Sequence, residues 1–377
     1  MAKNDELLDI LQLINTDGVG PITFYNCIKK AGNIKNALNL MAQKRALYPR
    51  EMAGIELEKA TKIGAEIISY QDKRYPQNLL ELNDAPPVLY ASGRIDLLNY
   101  PVSVSIVGAR NASIGGRKMA SRIAYDLTEA DVLVVSGMAR GIDAAAHKGA
   151  LYAKEQKGAT IAVLGTGIDI PYPTENTELY HNICENGLLI SEFPLGTAAQ
   201  VSNFPRRNRI IAALTEATLV VEASVNSGSL ITAKLALEQG KEIFAVPGSP
   251  MEPRSAGPNR LIKEGALLTE NSDDILNVLS MRQNRAIKEQ KTLQLPLDKP
   301  KNQVNISAHK ETAISTSETP AENVRLIDLI SYEGVDIDEL LRTCGLPQSE
   351  FFAQILDLEF SGKIERHAGN KVAKIKG

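Results

Sequence analysis

Between residues 71 and 280 short apolar runs alternate with stretches of helical periodicity, and this alternation narrows the possible fold more than any other feature of the sequence. The runs fall at 102–107, 132–135, 160–164, 188–190, 219–221 and 243–246. Strands that are nearly continuous Val, Ile and Leu, without polar alternation, must be covered on both faces. A helix between successive strands returns the chain for parallel pairing. The expectation is an α/β fold, a Rossmann-like, doubly wound, mostly parallel sheet. In such a sheet a ligand sits outside the carboxyl ends of the strands.

The flanks read differently. Residues 1–70 look helical, with Leu7, Leu8, Leu11 and Ile14 at helical spacing. The pattern breaks at Asp17-Gly18-Val19-Gly20-Pro21 before a second amphipathic stretch. A helix, a Gly-x-Gly hairpin and another helix fit a helix-hairpin-helix unit, whose backbone amides can hold a phosphate. They fit an ordinary turn in a small helical domain equally well. Residues 281–320 hold no aromatic residue and are rich in Lys, Gln, Asn, Ser and Thr, the composition of a flexible linker. Apolar periodicity returns over 321–377, through Val324, Ile327, Ile330, Ile337, Leu340, Phe351 and Ile355. Three short helices followed by two β-prone segments predict a C-terminal winged helix.

Charge and chemistry exclude several classes. The net charge is −3 and the pI about 6.0, so any nucleic-acid site must be a local patch. Cys27, Cys184 and Cys344 are far apart, and the spacing of His147, His181, His309 and His367 suits no metal. Neither a G-x-G-x-x-G fingerprint nor a P-loop occurs, and no cofactor is expected. The first residues carry no apolar signal core, and no run of about 18 apolar residues appears. The sequence therefore predicts a soluble, cytoplasmic protein with no membrane partner.

The informative residues lie where strands end. Gly108 and Arg110 follow the first run, ahead of Gly115-Gly116-Arg117 at the start of a helix. A glycine lets a ligand approach the backbone there, and a helix N-terminus offers free N–H groups to an anion. The second run ends in Ser136 and Gly137, followed by Arg140, Asp143 and His147. Asp143 and His147, four residues apart, read as a helix-stabilising pair rather than a catalytic one, leaving Ser136 and the glycine turn to meet a phosphate. The third run leads into Gly165, Thr166 and Gly167. Another turn presents Ser227, Gly228 and Ser229.

The sharpest segment is Asn203-Phe204-Pro205-Arg206-Arg207-Asn208-Arg209. Pro205 suits a first helical turn, which sets Arg206, Arg207 and Arg209 at the positive end of a helix dipole, at a cost of roughly 0.3–1 kcal/mol each. Arginines in that position imply an anion to meet them. Arg207 shares a helical face with Ile210, Ile211 and Leu214, which points its guanidinium inward along the sheet edge. There it would face a ligand or an internal carboxylate, Glu192 or Glu222. Phe204 adds a stacking surface of the kind used on unpaired bases.

Taken in order, these segments resemble the DNA-processing protein A family, also called DprA or Smf. The resemblance covers about residues 75–280 and rests on several segments. They include Ser105-Ile106-Val107-Gly108-Ala109-Arg110, Ser136-Gly137-Met138-Ala139-Arg140-Gly141-Ile142-Asp143 and Asn203-Phe204-Pro205-Arg206-Arg207-Asn208-Arg209. Ser227-Gly228-Ser229-Leu230-Ile231-Thr232-Ala233 and Phe244-Ala245-Val246-Pro247-Gly248 continue it. The resemblance implies a Rossmann-type core that binds single-stranded DNA in a basic pocket, dimerises, and loads the RecA recombinase in natural transformation, without being an enzyme. It carries the DNA-contact role to Arg110 and to the arginines at 206, 207 and 209. Where the family commonly has Ser-Arg-Arg, this chain has Ala109-Arg110-Asn111.

The main rival is a lysine-decarboxylase-like nucleotide phosphoribohydrolase. Its Pro-Gly-Gly-x-Gly-Thr-x-x-Glu loop supplies an acid that the turn from Ser227 to Ala233 lacks. A protein-interaction scaffold without a nucleic-acid role is a third reading. In the winged helix, the segment from Gln348 to Phe360 carries Glu350, Asp357 and Glu359 and no Lys or Arg. Lys363, Arg366, Lys371, Lys374 and Lys376 gather in the wing. This distribution predicts a protein partner or a second copy there, not specific duplex DNA.

Overall fold

The computed structural model describes residues 2–153, 160–281, 326–330, 335–344, 346–367 and 371–374. The chain forms two compact units, Met1–Pro296 and Leu297–Gly377.

The first unit begins with α1 (Ala2–Ile14), α2 (Pro21–Ala31), α3 (Ile34–Ala42) and α4 (Arg50–Lys62). Gly18 takes φ 69 in the α1–α2 turn, and Pro21 opens α2 where its missing N–H costs nothing. The Asn33 side chain caps α3 by accepting from the Asn36 N–H. Ile10, Leu11, Phe24 and Leu38 of these helices pack with Tyr90 and Leu189 of the sheet in one apolar core.

The sheet elements follow as β1 (Glu66–Ser69), α5 (Gln77–Leu80), β2 (Val88–Gly93), β3 (Ser103–Val107), α6 (Ile114–Glu129), β4 (Leu133–Ser136), α7 (Ile142–Leu151) and β5 (Thr160–Val163). Next come α8 (Thr177–Asn186), β6 (Leu188–Ser191), α9 (Asn203–Ala213), β7 (Ala217–Val220), α10 (Gly228–Glu238), β8 (Glu242–Ala245), α11 (Ala256–Lys263) and β9 (Leu267–Leu268). A helix over 272–281, α12, follows. The nine strands are ordered β1-β2-β6-β5-β4-β3-β7-β8-β9. From β6 to β9 along this order every pairing is parallel, whereas β1 and β2 add an antiparallel edge.

Alternate residues of each central strand enter opposite cores. Val135, Val163 and Val220 meet Ile210, Ile211 and Ala233 of α9 and α10 on one face. Val104, Ile106 and Val134 meet Ile123, Leu127 and Ala146 of α6 and α7, with Ile275 and Leu279 of α12, on the other. Each such fully buried side chain contributes about 1.5–3 kcal/mol of transfer free energy, which is why these strands carry apolar residues on both faces.

The doubly wound α/β class expected from the apolar runs is the fold observed, and all six runs are parallel strands. Two corrections concern the edge. Residues 66–69, read as part of the helical segment, form β1, and β2 was not anticipated. At four and six residues these strands are too short for their periodicity to stand out. The chain leaves β3 toward β4 on one side and β7 toward β8 on the other, so the strand order reverses between β3 and β7. That reversal opens a crevice at the carboxyl ends.

The second unit contains a 3-10 turn (Leu326–Leu329), β10 (Val335–Asp336), α13 (Ile337–Cys344), α14 (Gln348–Phe360), β11 (Ile364–His367) and β12 (Lys371–Lys374). Its sheet is ordered β10-β12-β11, and Leu326, Ile337, Leu340, Phe351, Ile355 and Val372 form its core. This is a winged helix with the three short helical elements expected, the first of them a 3-10 turn. On α14, Phe352 and Leu356 lie exposed one turn apart, beside exposed Glu350 and Asp357. Residues 282–320 of the expected linker, and Lys376, lie outside the described residues. Among the described residues no helix is long and apolar enough to cross a membrane.

Candidate nucleic-acid interface

Loops from the ends of β3, β4, β5 and β7 meet α9 at the crevice. A cavity of about 230 Å³ is lined by Arg110, Gly137, Ala139, Arg140, Gly165, Tyr172, Phe204 and Arg207, among others. A cleft of about 600 Å³ adjoins it and adds Gly108, Asn208, Ser227, Gly228, Ser229 and Arg254. Two glycines are required by what rises beside them. A Cβ at Gly137 would lie 2.5 Å from Arg207 Nη2, and one at Gly165 would lie 2.8 Å from the Phe204 ring. Glycine at these strand ends therefore makes room for the arginine and the aromatic ring.

Arg207 is the centre of the site. It is 4% exposed, and its Nη1 donates to the carbonyls of Gly137 and Val163 at the ends of β4 and β5. Its Nε donates to Asn208 Oδ1 at 3.3 Å. Burial lowers its pKa to about 10, with Asp143 opposing the shift, so the guanidinium stays cationic at neutral pH. Asp143 is also buried, and its Oδ2 accepts from the Gly137 N–H at 3.2 Å and the Ala139 N–H at 3.4 Å. Burial pushes this carboxyl up to about 6, although Arg207 and those two N–H groups pull it back.

Around that floor stand the other groups that line the cavity and the cleft. Arg110 is exposed, with its guanidinium carbon 5.2 Å from the Phe204 ring centroid. The Tyr172 ring lies 5.5 Å from that of Phe204, tilted by 31°. Arg140 is exposed and 3.4 Å from Glu175. The Ser227 side chain caps α10 by accepting from the Ser229 N–H, and the two hydroxyls are 2.8 Å apart. Cations thus surround a pair of rings, an arrangement suited to a phosphate chain with unstacked bases.

Not every residue singled out in the sequence reaches this site. Ser136 is fully buried and donates to the Ile106 carbonyl at 2.6 Å, which corrects its reading as a phosphate contact. Thr166 is buried and donates to the Ile170 carbonyl, and the Gly167 N–H donates to the Thr197 carbonyl at 2.9 Å. Asn203, also buried, gives its amide to the Gly165 carbonyl at 3.2 Å and so positions that loop. Arg206 is exposed over the Phe193 ring and 3.6 Å from Glu192, in a different cleft beside the Asp17–Pro21 turn. Arg209 is buried, 2.5 Å from Glu192 and 3.1 Å from Asp84.

For Arg206 and Arg209, then, the anions implied by their place at a helix N-terminus are internal. Asp143 and His147 do not pair, because the His147 Nδ1 meets Thr160 Oγ1 at 2.7 Å instead. Burial, reinforced by Arg207, lowers His147 to about 3.

The stretch of sequence that builds these loops and α9 matches a known family model. The model described as DNA recombination-mediator protein A matches residues 66–280. The chain belongs to that family. A DprA-like N-terminal HHH domain model matches residues 4–63, and a DprA winged helix domain model matches residues 310–370. Protein Smf of Escherichia coli K12 is 35% identical over 332 residues, covering 88% of this chain and 83% of Smf. The solved DNA processing protein A of Streptococcus pneumoniae aligns at 35% identity and TM-score 0.58, over 73% of this chain and 92% of its own. That of Helicobacter pylori, solved for its single-stranded DNA binding mode, aligns at 29% identity and TM-score 0.52, over 58% and 96%.

For this member of the recombination-mediator family, sequence reasoning gave no site role to several lining residues, Tyr172, Asn208 and Arg254 among them. Tyr172 sits between two prolines, an aromatic in a loop at a strand's carboxyl end, and that context was its signal. Asn208 belongs to the arginine segment but carries no charge to draw notice. Arg254 comes from the loop after β8, where its Nε donates to the Asn111 carbonyl at 2.9 Å. Nothing local in the sequence marks that contact.

Proposed function

We propose that this protein binds single-stranded DNA along the carboxyl ends of β3, β4, β5 and β7, and that it acts as a cytoplasmic, homodimeric mediator that loads the RecA recombinase onto DNA in transformation. The observation that carries the reading is Arg207, a cation held on two strand-end carbonyls beneath Phe204, Tyr172 and Arg110. Rings and cations together favour a strand whose bases are unpaired, since a duplex keeps its π-faces stacked inside. The Helicobacter pylori relative is described as binding single-stranded DNA. An exposed sheet edge at β9, with Leu267 and Leu268 both partly open to solvent, supports self-association.

The phosphoribohydrolase reading has less support. Glu222, the acid beside the candidate loop, accepts from the Ser113 N–H at 2.9 Å and from the Ser113 hydroxyl at 2.5 Å, which commits it to the start of α6.

A titration of labelled oligothymidylate and of a duplex over a salt series tests the proposal. With three to four phosphates neutralised, log K for the single strand should fall against log salt with a slope of about −2 to −3. The duplex should bind at least about tenfold more weakly, a difference of roughly 1.4 kcal/mol. Equal or tighter duplex binding, or no dependence on salt, would overturn it.

Asp143 makes a further expectation. Its folded pKa lies above the ordinary carboxylate value, so its contribution to stability is present below about 4 and is lost as pH rises through about 6. Over the same window, protonation removes the negative charge beside Arg207, and a bound phosphate favours that protonated form. Affinity for single-stranded DNA should therefore rise by about three- to tenfold between pH 7 and 5.5, up to roughly 1.4 kcal/mol. Asp143→Asn should flatten this dependence and bind more tightly at pH 7. An unchanged pH profile in the variant would remove Asp143 from the account.

A further inference from the structure

Away from the crevice, α6 and α7 approach closely where Gly149 meets Ser121; a Cβ at Gly149 would lie 2.1 Å from the Ser121 carbonyl oxygen. A groove of about 730 Å³ runs over this pair. Arg117, Lys118 and Arg122 enter it from α6, and Lys148 enters it from α7. Among the described residues only Arg122 of these four has an ion-pair partner, Asp126 of its own helix at 2.8 Å. Lys118 and Arg122 stand one helical turn apart, and so do Lys148 and Tyr152, which makes each pair a row on one helix face. Tyr152 is 75% exposed.

In a chain of net charge −3, Arg117, Lys118 and Lys148 thus gather three cations without an ion-pair partner among the described residues, with an open aromatic ring beside them. Arg140 lines both this groove and the cavity under Phe204, so one side chain borders the two.

We propose that the α6–α7 groove is a second segment of the single-strand track, taking the phosphates of nucleotides that leave the cavity past Arg140, with Tyr152 as a stacking platform. The proposal rests on the single-stranded DNA reading given above. Charge complementarity favours a polyanion over an apolar partner, and Arg140 at the border of both spaces favours the same strand over a separate one. The exposed ring favours unpaired bases over a duplex.

The full-length protein, titrated with labelled oligothymidylates of about 6 and about 20 nucleotides, tests this against site sizes typical of single-strand binders. A Lys118→Ala/Lys148→Ala variant should bind the longer strand at least about tenfold more weakly, with its salt slope flattened by about 1.4 for two lost phosphate contacts. Its affinity for the shorter strand should stay within about twofold of wild type, below 0.5 kcal/mol. Tyr152→Ala should also weaken the longer strand selectively, with little change in salt slope. Arg110→Ala should weaken both lengths. If the groove variants bind the longer strand like wild type while Arg110→Ala fails, the track is wrong and the cavity reading stands. Equal losses on both lengths would also overturn the track, because the groove would then be acting on the cavity. If the wild-type protein binds neither length, the reading beneath the proposal fails, and the proposal fails with it.

Discussion

Arg207→Ala is expected to weaken single-stranded DNA binding by roughly 2–4 kcal/mol, about 30- to 1000-fold, and to destabilise the fold as well. The affinity loss follows from position. The guanidinium lies on the floor shared by the cavity and the cleft, where little water competes for it. The stability loss follows from what is left behind. The carbonyls of Gly137 and Val163 lose their shared donor, and Asp143 loses the cation facing it. Unsatisfied buried carbonyls and an unpaired buried carboxylate together should cost about 2–5 kcal/mol, held below their sum because Asp143 can take up a proton.

The two effects separate in a double variant. Arg207→Met with Asp143→Asn removes the unpaired charge and should recover much of the lost stability without recovering affinity. Arg207→Lys keeps the charge but not the guanidinium that reaches both the carbonyls and Asn208, and should recover part of each. The checks are thermal denaturation for stability and a fluorescence titration under conditions where each variant is folded. A folded Arg207→Ala protein that binds like wild type would remove this residue from the interface.

The inward aim of Arg207 was legible in the sequence because Ile210, Ile211 and Leu214 mark the buried side of its helix, and that side faces the sheet. The convergence of the Gly108, Gly137 and Gly165 loops was legible too, since parallel strands place all their carboxyl ends on one edge. Hydrogen-bond destinations were not. A serine at a strand end can serve a phosphate or a neighbouring carbonyl, and Ser136 serves the Ile106 carbonyl. The choice depends on the distance to β3, which is non-local. The same holds for Arg254, brought to the cleft beside Asn111 from 143 residues away. Short antiparallel β1 and β2 were missed for a different reason. Their place is set by pairing with β6, and few residues carry a pattern of their own.

Arg209 is where a local reading and the fold diverge most, and its substitution should show the opposite split from Arg207. Both belong to the arginine segment of α9, and both are buried. Arg207 faces the cavity, whereas Arg209 reaches Glu192 after β6 and Asp84 before β2, joining that antiparallel edge to the core. The Glu192 side chain is 3% exposed, and burial raises its pKa despite the opposing pull of Arg209 and Arg206. Arg209→Met would leave this carboxylate with only the more distant Arg206, so the loss should be about 3–5 kcal/mol at pH 8, as for a broken buried pair.

The pH dependence has a definite sign. With Arg209 gone, the folded pKa of Glu192 rises further above its unfolded value. The folded state then binds the extra proton, and the variant regains stability as pH falls through that raised pKa. Adding Glu192→Gln should restore most of the lost stability and abolish the pH dependence, giving a coupling of several kcal/mol between two residues in contact. Single-stranded DNA affinity, measured below the variant's unfolding transition, should stay within about threefold of wild type, under 0.7 kcal/mol. A stable Arg209→Met protein that loses affinity as Arg207→Ala does would restore Arg209 to the DNA interface, and Glu192 would then be only its resting counter-ion.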